Sequence, residues 1–311
     1  MTTILGHDQL LERRRDNFRQ RPDRAVRSLE EAARFIDEVV FALLFPPDWT
    51  ATFHVGEIEG RSPQRGTLLP SLWEAHVGGH EPLVEWDEHA SRVWHWRDEL
   101  SEAGRAFYGK YLAGRASFVS PAMMSLFIAA GGGIPDEADL EEEYRQGNLR
   151  RELLVAYRAI REQGPIGSVA LRRACGLGGS KLTREAEELE RRFLVVRLGS
   201  RREGRRQWPS NVYDLLSRAY PSVTAEAVEY DAREASHQVA ERYLRAAVFA
   251  APADLSAALG WPLTQAEVAL GDLVAARRAR AAPREAGLPP GTVVSMLEAR
   301  ASSLEHRASK P

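Results

Sequence analysis

One stretch of this sequence is crowded with cations, and cations spaced along a helix and a hairpin do one kind of chemistry: they grip phosphate. Lys181, Arg184 and Arg191 recur at helical spacing, and Arg201, Arg202, Arg205 and Arg206 crowd around a single Glu203. Between residues 150 and 210 there are fifteen Lys/Arg against seven Asp/Glu, on a chain whose formal net charge is −2. A positive surplus so localised is the footprint of a nucleic-acid binder. The near-neutral total argues against a wholly non-specific one. These seven residues are the expected phosphate and groove contacts on double-stranded DNA. Glu185, Glu187, Glu188 and Glu190 dilute the face, so the competing reading is a solvated, salt-bridged surface on a protein-interaction domain.

Other side chains could do different chemistry. Trp86-Asp87-Glu88-His89 and Trp94-His95-Trp96-Arg97-Asp98-Glu99 set carboxylates and imidazoles beside aromatic rings. An unstacked base could lie on such rings while an acid orients water. Helical spacing already explains the tryptophans as core, which is the preferred reading. His76 and His80 bracket Val77-Gly78-Gly79 with no third ligand at fixed spacing, so no metal site is expected. Gly131-Gly132-Gly133 lacks the Lys-Ser/Thr of a phosphate loop. No Gly-x-Ser-x-Gly is present. The single cysteine, Cys175, gives neither an intrachain disulfide nor a cysteine zinc site. No cofactor is expected, and no catalytic residue can be assigned.

The elements that position the cations read as a winged helix over Arg150–Leu216. Arg150–Gln163 is a helix, Ser168–Cys175 a second, and Ser180–Phe193 a third, capped by Ser180. Gly176-Leu177-Gly178-Gly179 supplies a turn needing positive φ. Leu182, Ala186, Leu189 and Phe193 form the inner stripe of the third helix, leaving Lys181, Arg184, Glu188 and Arg191 outside. Leu194–Ser200 and Gln207–Leu215 are the strands of a hairpin whose tip carries the arginines. The pattern returns at an offset of 84. Leu171 matches Leu255, Cys175 matches Leu259, Gly176 matches Gly260, and Leu189 matches Leu273, an internal repeat. Thr264 and Gln265 then stand where base readers sit at the start of a recognition helix.

The rest of the 311 residues reads more coarsely. Asp8–Arg24 is an arginine-rich helical leader, expected to be solvated. Ser28 and Glu31 form a capping box for a core helix that runs through Phe45 to Pro46-Pro47. Asp48–Pro70 is a polar hairpin or insertion. Leu69–Ala75 and Asp87–Leu100 are helices, and Tyr108–Val119 is strand-like. Pro121–Ala130 is a helix closed by three glycines, and Asp136–Glu143 an acidic hinge. From Leu288 little is legible, and Ala299–Pro311 is an expected disordered tail. The fold class is mainly α: tandem winged-helix modules with small β-hairpin wings. The expected division is a helical domain over 1–135, a central winged helix over 136–220, and a second over 221–311. With 44% hydrophobic residues, no signal core and no 20-residue apolar run, the expectation is a cytoplasmic protein without membrane contact.

The order of elements over residues 28–280, with Leu-Trp-Glu-Ala at 72–75 and Phe-Tyr-Gly-Lys at 107–110, resembles the AlkZ/YcaQ-type winged-helix DNA glycosylases. It resembles more closely the AlkZ-related proteins beside them. The resemblance implies a helical cradle for DNA and, in the enzymes, metal-free excision of alkylated or crosslinked bases. In those enzymes two glutamines flanking an apolar residue place a water. Here the corresponding stretch is Leu43-Leu44-Phe45-Pro46, and no Gln-x-Gln occurs anywhere in the chain. The scaffold carries over and the catalytic pair does not. The expected role is DNA damage recognition or repair with glycosylase activity lost or altered. A transcription regulator or a protein-interaction scaffold is the alternative.

Overall fold

Three times along the chain the same run of elements recurs: a helix, a short strand, two helices and two strands. The computed structural model describes residues 6–46, 68–80, 86–202, 209–283 and 287–295. After the leader helix α1 (His7–Asn17), the first unit comprises α2 (Leu29–Val39), β1 (Phe41–Leu43), α3 (Leu72–Val77), α4 (Glu88–Glu102), β2 (Phe107–Leu112) and β3 (Arg115–Val119). α5 (Pro121–Ala130) and α6 (Glu137–Arg145) follow. The second unit is α7 (Arg151–Gln163), β4 (Ile166–Gly167), α8 (Ser168–Cys175), α9 (Gly179–Arg191), β5 (Val195–Arg201) and β6 (Ser210–Leu215). α10 (Leu216–Ala219) and α11 (Pro221–Glu229) lead to the third: α12 (Ala232–Ala247), β7 (Phe249–Ala250), α13 (Pro252–Leu259), α14 (Leu263–Ala275), β8 (Ala279–Ala281) and β9 (Val293–Ser295).

Each unit closes an antiparallel sheet of three strands with the last strand in the middle: β1-β3-β2, β4-β6-β5 and β7-β9-β8. Units two and three keep step to the residue over their paired helices. α13 and α14 start 84 residues after α8 and α9. Left-handed residues recur at the same offset, at Gly176 (φ 64°) and Gly260 (φ 76°), and at Phe193 (φ 57°) and Arg277 (φ 58°). The glycines end α8 and α13, where an amide must turn back onto the last carbonyls without a Cβ in the way.

Several expectations are corrected. The helix from Ser28 ends at Val39, because Val40 turns left-handed (φ 59°) and Phe41–Leu43 pairs with β3. The run Val39–Phe45 is buried throughout, and unbroken apolarity suits a buried strand as well as a helix. The first unit is therefore not all-helical. Ser28 does accept from Glu31 N, but the Glu31 carboxylate reaches back to Arg27 N rather than closing a box on Ser28. The acidic hinge is helix α6, capped by Asp136 and seated through fully buried Leu140. Its Glu137 and Glu141 pair with Arg158, and Glu143 with Arg192. The leader is not solvated. Leu10 is buried, and Arg14 donates to the carbonyls of Ala247 (2.7 Å) and Phe249, its guanidinium 3.8 Å from the Phe249 ring. Val293–Ser295, in a stretch where the sequence shows little, is the central strand of the third sheet. The insert at 48–67 and the tail beyond 295 lie outside the described residues.

The cores divide unevenly. One cluster runs through units one and three, from Phe35, Phe41 and Phe118 through Met124 and Phe127 on α5 to Val239, Leu255 and Leu270. A separate cluster fills unit two, with Leu140, Leu153, Ile160, Leu171, Leu189 and Tyr213. No helix among the described residues is long and apolar enough to cross a membrane.

Candidate nucleic-acid interface

α9 is held as its pattern demands: Leu182, Ala186 and Leu189 are buried, with Phe193 just beyond the helix. The other side is only half open. From Glu187 onward the helix packs on β2 of unit one, where Glu190 accepts from Lys110 N (2.9 Å) and Lys110 Nζ lies 3.4 Å from Glu187. Glu190 is fully buried and also takes Arg197 (3.0 Å). Burial pulls the Arg197 pKa down, but the Glu190 charge outweighs it and holds the guanidinium ionised. What remains open is the start of α9, Gly178 to Lys181 with Thr183 and Arg184. The N-cap is Gly178, with no side-chain cap, so Ser180 does not cap the helix. Amides at an uncapped, exposed helix start point at solvent and favour an anion.

The expected cations are not independent charges. Lys181 Nζ lies 3.6 Å from Glu152 Oε1. Arg184 forks onto Glu185 with Nε at 2.9 Å and a terminal nitrogen at 2.7 Å. Arg150 takes the same carboxylate at 2.8 Å, so two guanidiniums share one fully buried glutamate. This pairing raises the Arg150 pKa. Arg191 binds Glu188. The outward stripe read from the sequence is thus a salt-bridged face, and Arg191 brings no net charge to it. Arg201 and Arg202 are exposed at the end of β5 and make no ion pair among the described residues. Arg205 and Arg206 lie outside the described residues. Thr264 is exposed at the start of α14, but Gln265 is turned inward. Its Nε2 donates to Ala130 O (2.8 Å) and Ser236 Oγ (2.9 Å), so both amide hydrogens are spent inside the fold.

Residues passed over in the sequence sit nearer the opening. Arg172 leans on the start of α9: its guanidinium is 3.9 Å from where a Cβ on Gly179 would be. Arg173 and Arg151 are exposed at the neighbouring ends of α8 and α7. Arg150, Arg172, Lys181 and Arg184, placed here by their contacts, stand against Glu152 and Glu185, so this corner keeps a positive surplus. The Arg172-Arg173 pair, placed at a helix end beside the turn, was the signal that could have found it.

The aromatic stretch is committed to structure. Asp87 caps α4 through Ala90 N (2.8 Å). Trp86 is 41% exposed and lies against Phe45 and Trp94, with centroids at 6.0 and 5.6 Å. His89 meets buried His76 at 3.0 Å, and His80 binds buried Glu74. Leu43, Leu44 and Phe45 are buried and carry no polar group that could orient a water. No cluster of three His, Cys, Asp or Glu among the described residues is placed to hold a metal.

A family model described as AlkZ related matches residues 26–260. No curated protein and no solved structure matches the chain.

Proposed function

The chain belongs to the AlkZ-related family, and on that premise we propose that it binds double-stranded DNA in damage recognition or repair. Each of the three units has the element order of a winged helix, a helix-turn-helix followed by a hairpin. The reading rests on one observation: the uncapped start of α9 opens into the corner where Arg150, Arg172, Lys181 and Arg184 outnumber Glu152 and Glu185. Helix amides and guanidiniums converging on one point are what a backbone phosphate takes. Arg201, Arg202, Arg205 and Arg206 would extend the interface along the hairpin. Base excision by the family's glutamine pair is absent with the pair, so any such chemistry belongs to other residues.

The test is fluorescence anisotropy on an undamaged and an alkylated duplex over a salt series, with Arg172→Ala/Arg173→Ala beside the parent. Removing one phosphate-binding cation reduces the slope of log K against log salt by about 0.9. An unchanged slope in a folded double variant would remove this corner from the interface. Release of free base from the alkylated duplex would make the protein an enzyme. A second reading, protein interaction, is favoured for unit three alone: α14 carries no Lys or Arg and exposes Leu263 and Val268.

A further inference from the structure

One helix face changes character between units two and three. Along α9 the stripe Ser180, Arg184, Glu187 and Arg191 is polar. At the 84-residue offset the same stripe of α14 is Thr264, Val268, Gly271 and Ala275, all exposed. In unit two the far half of that face meets β2, where Glu187 pairs with Lys110. In unit three nothing among the described residues covers it. Val268 is half exposed, and a Cβ on Gly271 would meet no atom of another element within 4 Å. Beside the stripe lies an open cleft of about 520 Å³, lined by Thr264 and Val268 and, from the neighbouring elements, by Gly131, Gly132 and Ala232. Leu263 and Glu267, both exposed, edge the stripe away from the cleft.

The chain carries a segment of matching form. It leaves the described residues at Ser295, which pairs with Ala279, four residues beyond the end of α14 at Ala275. Sixteen residues follow, 296–311. Extended, they span about 50 Å, against about 20 Å for the length of α14, so the whole helix is within their reach. Leu297, Ala301, Leu304 and Ala308 fall at intervals of four, three and four, one face of a helix. Thr264, Val268, Gly271 and Ala275 have the same intervals. A chain turning back from the end of α14 runs antiparallel to it. Leu297 then falls over Ala275, Ala301 over Gly271, Leu304 over Val268 and Ala308 over Thr264, with Arg307 facing Glu267 from the flank. The segment holds Arg300, Arg307 and Lys310 against Glu298 and Glu305, whereas α14 holds Glu267 and Asp272 and no Lys or Arg, so the charges are complementary.

We propose that residues 296–311 fold back as an amphipathic helix onto the exposed face of α14, with Leu304 seated beside Val268 at the cleft and Arg307 paired with Glu267. Burying the two leucines against Val268 and the cleft is what drives the contact, and the flanking charges fix its direction. The segment closes unit three. Any partner that uses this face of α14 must first displace it. The inference stands apart from the DNA reading, which concerns unit two.

Hydrogen exchange on the full chain, read by mass spectrometry, is the test. Peptides covering residues 297–308 should exchange about tenfold more slowly than an unstructured chain, to the same extent at every protein concentration. Val268→Asp, at an exposed position, should remove that protection while exchange in α12 and the third sheet stays as in the parent, which shows that unit three is still folded. Arg307→Glu should reduce the protection about two- to fivefold, the effect of one exposed ion pair. Adding Glu267→Arg to it should restore the protection. Exchange at the unstructured rate in the parent would mean that the segment does not dock. Protection that survives Val268→Asp would put it elsewhere, and protection that grows with concentration would put a second copy's segment on α14. Each of these, or a charge swap that restores nothing, overturns the proposal.

Discussion

Glu185 is the residue whose replacement separates charge from structure. It is fully buried at the middle of α9 and accepts from Arg150 at 2.8, 3.1 and 3.2 Å and from Arg184 at 2.7 and 2.9 Å. Glu185→Gln keeps the shape and removes the charge. Hydrogen bonds to charged groups contribute about 1.5–3 kcal/mol each in protected sites. Here the arginine side chains are 46% and 54% exposed and can return to water, so the net loss should be about 1–2 kcal/mol. DNA binding should move the other way. Two guanidiniums freed beside the start of α9 can each take a phosphate, steepening the salt slope by about 0.9 for each phosphate bound, or roughly 3.5-fold in affinity between 200 and 50 mM salt. Urea unfolding reads the first effect and duplex anisotropy over a salt series reads the second. A folded Glu185→Gln protein with an unchanged or shallower slope would refute the claim that this carboxylate restrains a DNA-binding corner.

Three further outcomes are expected. Replacing Arg201, Arg202, Arg205 and Arg206 with alanine should flatten the salt slope by about 0.9 for every arginine that touches phosphate, and no change removes the hairpin from the interface. His76 is buried with its Nδ1–H on Val26 O (2.8 Å), and burial first, then the nearby His89 and Arg92, holds its pKa below the usual 6.5. Its stabilising share is therefore complete above pH 6.5 and declines as pH falls below it, where the unfolded chain takes up a proton the folded chain refuses; the drop in urea midpoint from pH 7 to pH 5 should shrink in His76→Gln. Arg14→Ala leaves the carbonyls of Ala247 and Phe249 without the guanidinium and should cost about 2–3 kcal/mol, read as a lower urea midpoint and faster proteolytic cleavage at α1.

What was legible in the sequence follows from which forces act locally. The stripe Leu182–Phe193 and the 84-residue echo of Leu171, Gly176 and Leu189 were readable because burial of one helix face leaves its period in the chain. β1 was not, since a strand buried on both faces and a buried helix share one apolar run over Val39–Phe45. The first unit's kinship with the other two was hidden for a related reason: the polar insert parts β1 from α3 and breaks the offset. At the candidate site, residue types were readable and their states were not. Glu185 meets Arg150 across 35 positions, and Gln265 meets Ala130 across 135, so a charge that looks outward on a helical wheel is already paired in space.

The repeat itself supplies a control within one molecule. Units two and three share the lengths of their paired helices, α8 with α13 and α9 with α14, and the left-handed residues Gly176/Gly260 and Phe193/Arg277 that close them, so along these helices the surfaces differ chiefly in side chains. At the 84-residue offset Arg172 becomes Ser256, Arg173 becomes Ala257, Lys181 becomes Gln265 and Arg184 becomes Val268. Arg150 becomes Glu234, Arg151 becomes Ala235, and Glu185, the buried partner, becomes Ala269. Every cation of the corner has been exchanged together with the carboxylate that held two of them, while Leu171, Gly176 and Leu189 persist as Leu255, Gly260 and Leu273. Stability accounts for what is kept. It does not account for the cations at the exposed positions Arg151, Arg173 and Lys181, where an uncharged residue would serve the fold equally well. The positive corner of unit two is therefore a property of its surface and not of its scaffold. If α14 bore cations by substitution of the exposed Thr264, Glu267 and Val268 and gained no salt-dependent affinity for duplex DNA, surface charge alone would be an insufficient account of unit two as well.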